Sequence, residues 1–329
     1  MTSVAAIRHA TDVEWDQAWM ASPSATFFES RQWAELWSRY SLGKVRPVPR
    51  LVEFSDGTEV VIPACVDEKV GGLVRILRMS PANTYGGWLE TSGLTRGHAR
   101  LLAEIINKSG NLTWLVNPFL VASMDPDTLP MPRGHTLAID LTGGYDACRA
   151  RWSKGHRSAA IQARRRGVTI RLADSVDDWR RYFTVYQNSL RRWGPRTTSR
   201  YSWALFHGMS SLANVRLWLA ISNDQVVAGA LCLYHPRQVA YWHGASMTDA
   251  FPLRSSNLLL DVAIQHACEL GACWFDLGPS GGHVGVEKFK RGFGPSLLDF
   301  PLIERSDPVL KIARRIRRVT EAGRTSRIQ

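Results

Sequence analysis

The sequence predicts an α/β (α+β) protein of two similar halves, each a mixed β-sheet flanked by helices, followed by a basic C-terminal helix. Three observations carry this. Strand-like and helix-like runs alternate in a similar order twice along the chain. The second half contains a three-strand meander, then a helix and a further strand, the order of a mixed sheet with helices on both faces. The 329 residues, 45% hydrophobic and 21% charged, suffice for two domains of ordinary size and exclude a disordered or collagen-like chain.

In chain order, Glu14 to Met20 and Arg31 to Tyr40 read as amphipathic helices, the second with Trp33, Leu36, Trp37 and Tyr40 at helical spacing. Val48 to Phe54 and Glu59 to Val66 read as strands of a hairpin turning at Ser55-Asp56-Gly57. A glycine-flanked aromatic loop, Asn83 to Trp88, precedes a helix at Thr95 to Ile106 and a strand at Leu112 to Val116. The proline-rich stretch Pro118 to Pro132 is a connection. Thr136 to Leu141 alternates as a strand, and Thr142-Gly143-Gly144 marks a boundary, so the expected domains are 1–140, 141–304 and a terminal helix at 305–329.

The second half opens on a basic helical segment, Tyr145 to Arg166, interrupted at Gly155 and stopped by Gly167. Val168 to Leu172 is a strand and Asp174 to Leu190 a helix with an acidic first turn. Val215 to Ile221, Val226 to Tyr234 and Gln238 to Gly244 form the meander; the helix starting at Ser255 or Ser256 runs to Leu270 and ends at Gly271. The strand Cys273 to Leu277 leads into the loop Gly278-Pro279-Ser280-Gly281-Gly282. After Ser306-Asp307-Pro308, Val309, Ile312, Ile316 and Val319 line one face of a helix otherwise covered by Lys311, Arg314, Arg315, Arg317 and Arg318.

The net charge is +12, and it is concentrated. Arg149, Arg151, Lys154, Arg157, Arg164, Arg165 and Arg166 fall in one stretch without an acid, and residues 305–329 hold eight cations against Asp307 and Glu321. The remainder is close to neutral. A charge run is usually a solvated helix face. Here no acid within the run supplies the i,i+4 partners that would offset the repulsion, and phosphate is the simplest compensation. The terminal helix suits tRNA or an acidic substrate first and the face of an anionic membrane second.

Five cysteines, odd in number and widely spread, together with an N-terminus that does not read as a secretory signal, lead us to expect a cytoplasmic protein. No run approaches the ~18 apolar residues of a membrane-spanning helix. Cys268 and Cys273 lack a second pair for zinc and read as packing residues, so neither metal nor cofactor is expected. The loop Gly278 to Gly285 follows a strand but lacks the GK[ST] of a P-loop and the βαβ context of a dinucleotide site. No nucleophile-elbow spacing organises a Ser-His-Asp triad.

Several segments carry a family resemblance. They are Ser153-Lys154-Gly155-His156-Arg157-Ser158 through Gly167-Val168, then Tyr241-Trp242-His243-Gly244-Ala245-Ser246, Ala267-Cys268-Glu269-Leu270-Gly271, Phe275-Asp276-Leu277-Gly278 and Phe289-Lys290-Arg291-Gly292-Phe293-Gly294. In the first half they are Phe27-Phe28-Glu29-Ser30-Arg31-Gln32-Trp33 and Tyr85-Gly86-Gly87. The chain resembles the Fem family (FemAB/FemX-like) of aminoacyl-tRNA-dependent transferases, of the Gcn5-related N-acetyltransferase (GNAT) superfamily. The resemblance implies two tandem GNAT-like domains with substrate between them, an aminoacyl-tRNA donor and, as acceptor, an amine on a peptidoglycan precursor or another peptide. It places the family's lysine at Lys290 and the arginine of its basic helix at Arg157.

The residue chemistry agrees with that expectation. Aminolysis of an ester needs a neutral amine, a partner for the developing oxyanion and a water-excluding fit. Lys290, between Phe289 and Phe293, suits the oxyanion or a donor phosphate; its ordinary alternative is a surface lysine on an amphipathic turn. Tyr241 is expected to line the acceptor pocket. Asp276 would take the amine's proton or cap a turn. Lys154, Arg157, Arg164 and Arg165 are the candidate donor-phosphate contacts, and Trp33, Tyr85 and Ser246 the candidate acceptor contacts. Arg254-Ser255-Ser256-Asn257-Leu258-Leu259 stands where acetyl-CoA-dependent GNAT enzymes carry a glycine-containing pyrophosphate loop, and it has no glycine. That departure disfavours an acyl-CoA donor, and the lack of a long coiled-coil arm leaves acceptors other than a bridge peptide open. The rival readings are an acyl-CoA-dependent N-acyltransferase of sugar or peptide amines, and a non-catalytic protein held to RNA or membrane by its tail.

Overall fold

The computed structural model describes residues 2–120, 124, 134–194, 197 and 200–307. The first half contains β1 (Val4–His9), α1 (Asp12–Ala21), α2 (Arg31–Tyr40), β2 (Val45–Pro47), β3 (Arg50–Phe54), β4 (Glu59–Ile62), β5 (Cys65–Lys69), β6 (Val74–Arg78), β7 (Tyr85–Gly86), α3 (Arg96–Asn107) and β8 (Leu112–Val116). The second contains β9 (Gly134–Asp140), α4 (Gly144–Ala150), α5 (Lys154–Arg165), β10 (Thr169–Leu172), α6 (Val176–Trp193), α7 (Trp203–Ser210) and β11 (Val215–Ser222). It continues through β12 (Gln225–His235), β13 (Gln238–Ser246), α8 (Ser255–Glu269), β14 (Trp274–Asp276), α9 (Val284–Arg291), β15 (Ser296–Phe300) and β16 (Leu302–Arg305). The terminal basic helix expected at 305–329 lies, beyond Asp307, outside the described residues.

The chain forms an α/β fold of mixed sheets flanked by helices. One sheet runs β10-β11-β12-β13-β14-β9-β15, another β16-β8-β6-β5-β2 with β7 beside β8, and β1-β3-β4 form a third. The halves share a unit: two parallel strands joined by a crossover helix, β6-α3-β8 in the first and β13-α8-β14 in the second. β9, which precedes the boundary read near residue 141, is hydrogen-bonded between β14 and β15 of the second sheet. β16, from the end of the second half, pairs with β8 of the first. A boundary near residue 141 would thus cut β9 from the sheet it belongs to, and β16 adds a strand of the second half to the sheet of the first.

Local signals explain most element starts. Thr11 caps α1 in a reciprocal box with Glu14, Thr95 caps α3 with His98, and Ser153 and Ser175 cap α5 and α6. The hairpin turn is found at Ser55 to Gly57, with Gly57 at φ +84°. Both of its strands end sooner than the sequence suggests. Pro49 breaks the first run and Pro63 divides the second, because proline has no N–H for a ladder. β2 and β5 consequently pair with each other in one sheet while β3 and β4 pair in another. The basic segment also breaks elsewhere than expected: α4 ends before Trp152, Ser153 caps α5, and Gly155 sits in its first turn.

The halves share an aromatic core. Trp15, Trp19, Phe27, Phe28 and Trp33 pack with Tyr182, Tyr186 and Phe206 in one buried cluster. Polar groups cross the same boundary: His235 Nε2 meets Trp19 O at 2.9 Å and Gln238 Nε2 donates to Ser24 O at 3.2 Å. Among the described residues no helix is long and apolar enough to cross a membrane.

Candidate active site

In each parallel strand pair one strand ends while its partner runs on, leaving a parting beyond the last paired residue, and what occupies each parting differs. In the first half β6 pairs with β8 only at Leu77↔Leu112 and Arg78↔Thr113. β7 then fills the gap, pairing Tyr85↔Leu115 and Gly86↔Val116. A Cβ on Gly86 would overlap the Met79 carbonyl, and Trp114 Nε1 donates to Gly86 O at 2.7 Å, so that parting is sealed by the chain itself.

In the second half β13 and β14 pair at Gln238↔Trp274, Val239↔Phe275 and Ala240↔Asp276 and go no further together. Opposite Tyr241 the chain turns at Gly278, whose φ of +74° is one that L side chains rarely adopt. Asp276 secures this turn: its Oδ1 accepts from Gly278 N at 2.8 Å and from Thr136 Oγ1, on β9, at 2.5 Å. Lys290 comes from α9, and its Nζ donates to the carbonyls of Gly278 and Pro279, each at 3.0 Å. A Cβ on Gly278 would lie 3.8 Å from Tyr241 O and 3.9 Å from Lys290 Nζ, which places all three at one spot.

Lys290 is only 7% exposed. Burial pulls its pKa down to about 8, with Asp276 partly opposing the shift. Burial pushes the Asp276 carboxyl up, against the lowering effects of Thr136, Gly278 N–H and Lys290. An ammonium has three donors and two are spent on carbonyls, so one remains for a group entering the parting. This is a fixed cation in a largely water-excluded seat.

Tyr241 stands beside a β-bulge: Cys232 pairs with Tyr241 and Leu231 with His243, leaving Trp242 as the extra residue. Trp242 stacks on Tyr201 at 5.3 Å and meets Trp33 edge-on at 5.5 Å. The Tyr241 ring crosses Gly244, where a Cβ would overlap its hydroxyl. Gly244→Ala should therefore displace Tyr241 and cost about 1–3 kcal/mol, measurable as a lowered urea midpoint.

Tyr85 enters from the first half. It is buried against Phe28 and Phe300, and its hydroxyl faces Thr136 and Asp276 without a well-aligned hydrogen bond among the described residues. Burial, with the Asp276 charge, raises its pKa well above the phenolic value. Trp33 is fully buried, its Nε1 donating to Thr84 Oγ1 at 3.3 Å, so the part it presents is its contact with Trp242. The structure brings Lys290, Asp276, Tyr241 and Tyr85 together. Ser246 is five residues along β13 from Tyr241, about 17 Å at strand rise, and its backbone is tied to Ser189 of α6.

The basic run lies on α4 and α5. The acid missing from it in sequence comes from elsewhere: Asp261 of α8, fully buried, lies 3.3 Å from Arg164, 4.0 Å from Arg149 and accepts from the Tyr145 hydroxyl. The repulsion expected along the run is thus partly neutralised within the protein. Arg157 Nη1 donates to Ala150 O at 3.0 Å, while Lys154 and Arg165 stand exposed. Thr136 and Asp261 had no sequence signal, because each meets its partners only through strands or helices about a hundred residues away or more.

The second half thus sets a crossover helix between parallel strands and a buried lysine where their pairing ends. Residues 149–291 match the family described as acetyltransferase (GNAT) domain, which indicates a transferase. Over nearly the whole chain the fold is similar to that of FemX: TM-score 0.69 and 13% identity, over 93% of this chain and 99% of that one. It is also similar to the C-terminal domain (DUF2156) of a putative lysylphosphatidylglycerol synthetase from Agrobacterium fabrum, with TM-score 0.59, 14% identity and coverage of 92% and 95%. The L-PGS structure from Bacillus licheniformis follows at TM-score 0.53, 14% identity, and coverage of 87% and 94%. At these identities the likeness is one of fold. No curated protein sequence matches the chain.

Proposed function

We propose that the protein transfers an amino acid from aminoacyl-tRNA to an amine, forming an amide bond, with a peptidoglycan precursor or a natural-product peptide or amine as acceptor. The observation that carries this is Lys290 Nζ, held by two carbonyls at the parting of β13 and β14 with one donor to spare. The neutral amine attacks the ester carbonyl, and the resulting oxyanion takes the free Lys290 donor. Collapse breaks the ester C–O bond; the amine's proton leaves with the tRNA 3′-oxygen, which departs as a hydroxyl. Asp276 holds the Gly278 turn that shapes the seat, and Tyr241 lines the acceptor side. Exposed Lys154 and Arg165, with Arg157, favour a long polyanionic donor, whereas Arg164 is engaged by Asp261.

The test is incubation of purified protein with aminoacyl-tRNA pools and candidate amines. RNase-sensitive amide formation is expected; product formation that persists after RNase, or saturable coenzyme A binding without affinity for tRNA, would replace this reading with an acyl-CoA-dependent one. The donor surface has its own test. Lys154→Glu with Arg165→Glu should weaken tRNA binding at least about tenfold and flatten the slope of log K against log salt by about two. Stability should change by no more than about 0.5 kcal/mol, since both residues are exposed.

A further inference from the structure

Two segments far apart in sequence meet at the end of α9. Ser153 N donates to Gly292 O at 2.9 Å, and His156, in the first turn of α5, places Nε2 2.8 Å from Phe289 O. The imidazole is edge-on to Phe293, with centroids 4.6 Å apart, and tilted over Phe289 at 5.4 Å. Gly292 forms the floor. Its φ is an ordinary −62°, but a Cβ there would overlap the imidazole, so close approach alone requires the glycine. Gly294, at φ +66°, lies as tightly against the Arg151 backbone.

The partners assign the tautomer. Nε2 faces a carbonyl and carries the proton; Nδ1 accepts from Ser153 Oγ at 3.1 Å. Burial lowers the pKa of the ring, which keeps it neutral in this role. Its acceptor, Phe289 O in the last turn of α9, also takes the Gly292 N–H at 3.2 Å, so the imidazole supplies a second donor to that carbonyl from a different helix.

α9 has little else to hold it. Lys290 is its only buried residue, and Val284 and Val286 point to solvent. The helix that delivers the ammonium is anchored by that lysine, by the half-buried Phe289 with the adjoining Phe293, and by His156, which contacts both rings.

We propose that His156 is a positioning residue, which fixes α9 and with it the Lys290 ammonium against the parted strands, and so couples the basic helix α5 to the reacting centre. The catalytic consequence rests on the reading of Lys290 given under Proposed function; the mechanical one does not.

Two variants remove the contact by different routes, His156→Ala by deletion and Gly292→Ala by expelling the ring. A third, His156→Gln, keeps an amide N–H within reach of Phe289 O. Hydrogen exchange of peptides covering 284–292, and the pH dependence of Lys290 acetylation by acetic anhydride read by mass spectrometry, report on α9 without substrate. Both disrupting variants should exchange at least about tenfold faster in that segment only, as a local opening does. The half-modification pH of Lys290 should move from near 8 toward that of an exposed lysine. In the transfer assay kcat should fall about 10–100-fold with donor KM within twofold, the cost of a misplaced group, and His156→Gln should recover most of it.

Wild-type exchange and Lys290 reactivity in both disrupting variants would overturn the proposal. So would faster exchange spread over the whole chain, which marks a merely structural role. Local loosening with unchanged transfer would uphold the positioning role and overturn the assignment of Lys290 as the reacting cation.

Discussion

Lys290→Ala lowers kcat/KM by about 10²–10³-fold, the usual loss when one preorganised oxyanion donor is removed, while donor affinity measured by binding stays within a few-fold. The reason is the seat. Nζ is held at 3.0 Å by both the Gly278 and the Pro279 carbonyl, so alanine removes their shared donor and leaves no charge where the oxyanion forms. Steady-state transfer with single-turnover controls decides the point; wild-type turnover in the alanine variant would refute the assignment.

The pH profile gives the same residue a sign. Burial has pulled the ammonium down to about 8, so the charge is present below that pH and lost as pH rises through it. The acceptor amine works in the opposite direction, since only its neutral form attacks. The product of the two is a bell whose basic limb falls near pH 8. Lys290→Arg removes that limb from the accessible range, because a guanidinium does not deprotonate there, and it works more slowly because a planar fork does not reproduce the seat. A profile still rising beyond pH 9 in the wild type would instead make Lys290 a base.

Glu29→Gln is expected to stabilise the protein by about 3–5 kcal/mol at pH 8.5 and to leave it nearly unchanged at pH 4.5. Glu29 is 1% exposed, and its Oε2 accepts from Thr26 N at 2.9 Å and from Asn117 Nδ2 at 2.9 Å, whereas Oε1 has no partner among the described residues. Burial pushes its pKa up to about 8, against those hydrogen bonds. The acid is therefore protonated in the fold at pH values where it is ionised in the unfolded chain. Stability attributable to it is present below about 4.5 and is lost as pH rises toward 8. Glutamine keeps the accepting oxygen and does not titrate. Thermal midpoints of the two proteins should coincide near pH 4.5 and separate by roughly 6–10 °C at pH 8.5, at about 2 °C per kcal/mol. Coincidence at both pH values would mean that Glu29 ionises without penalty.

How far the sequence reached depends on whether a feature is local. Caps, the glycine at helix ends and the Asp56-Gly57 turn are decided by a few consecutive residues, and the helices at Arg31 to Tyr40 and Ser255 to Leu270 appear nearly where periodicity puts them. Periodicity could not show that Pro49 and Pro63 send adjoining strands to different sheets, because strand partners are remote. It did not show α9 either: Val284 to Arg291 follows a glycine-rich loop and, besides Lys290, offers the core only the half-buried Phe289. Thr136, Asp261 and His156 illustrate the same limit in the site. Each meets a partner more than a hundred positions away in the chain.

The amino-acid order alone established a two-part α/β protein, a charge excess concentrated in two segments, and Lys290, Asp276 and Tyr241 as residues worth placing. It could not say what stands where each parallel pairing ends, because β7 fills one place and Lys290 enters the other. Nor could it say which arginines remain for a ligand, because the acid that engages Arg164 comes from a helix about a hundred residues away. Helix caps and periodic faces are properties of neighbouring residues and are written in the chain. The pairing of a buried charge, and the pKa that follows from it, belong to whatever the fold brings alongside.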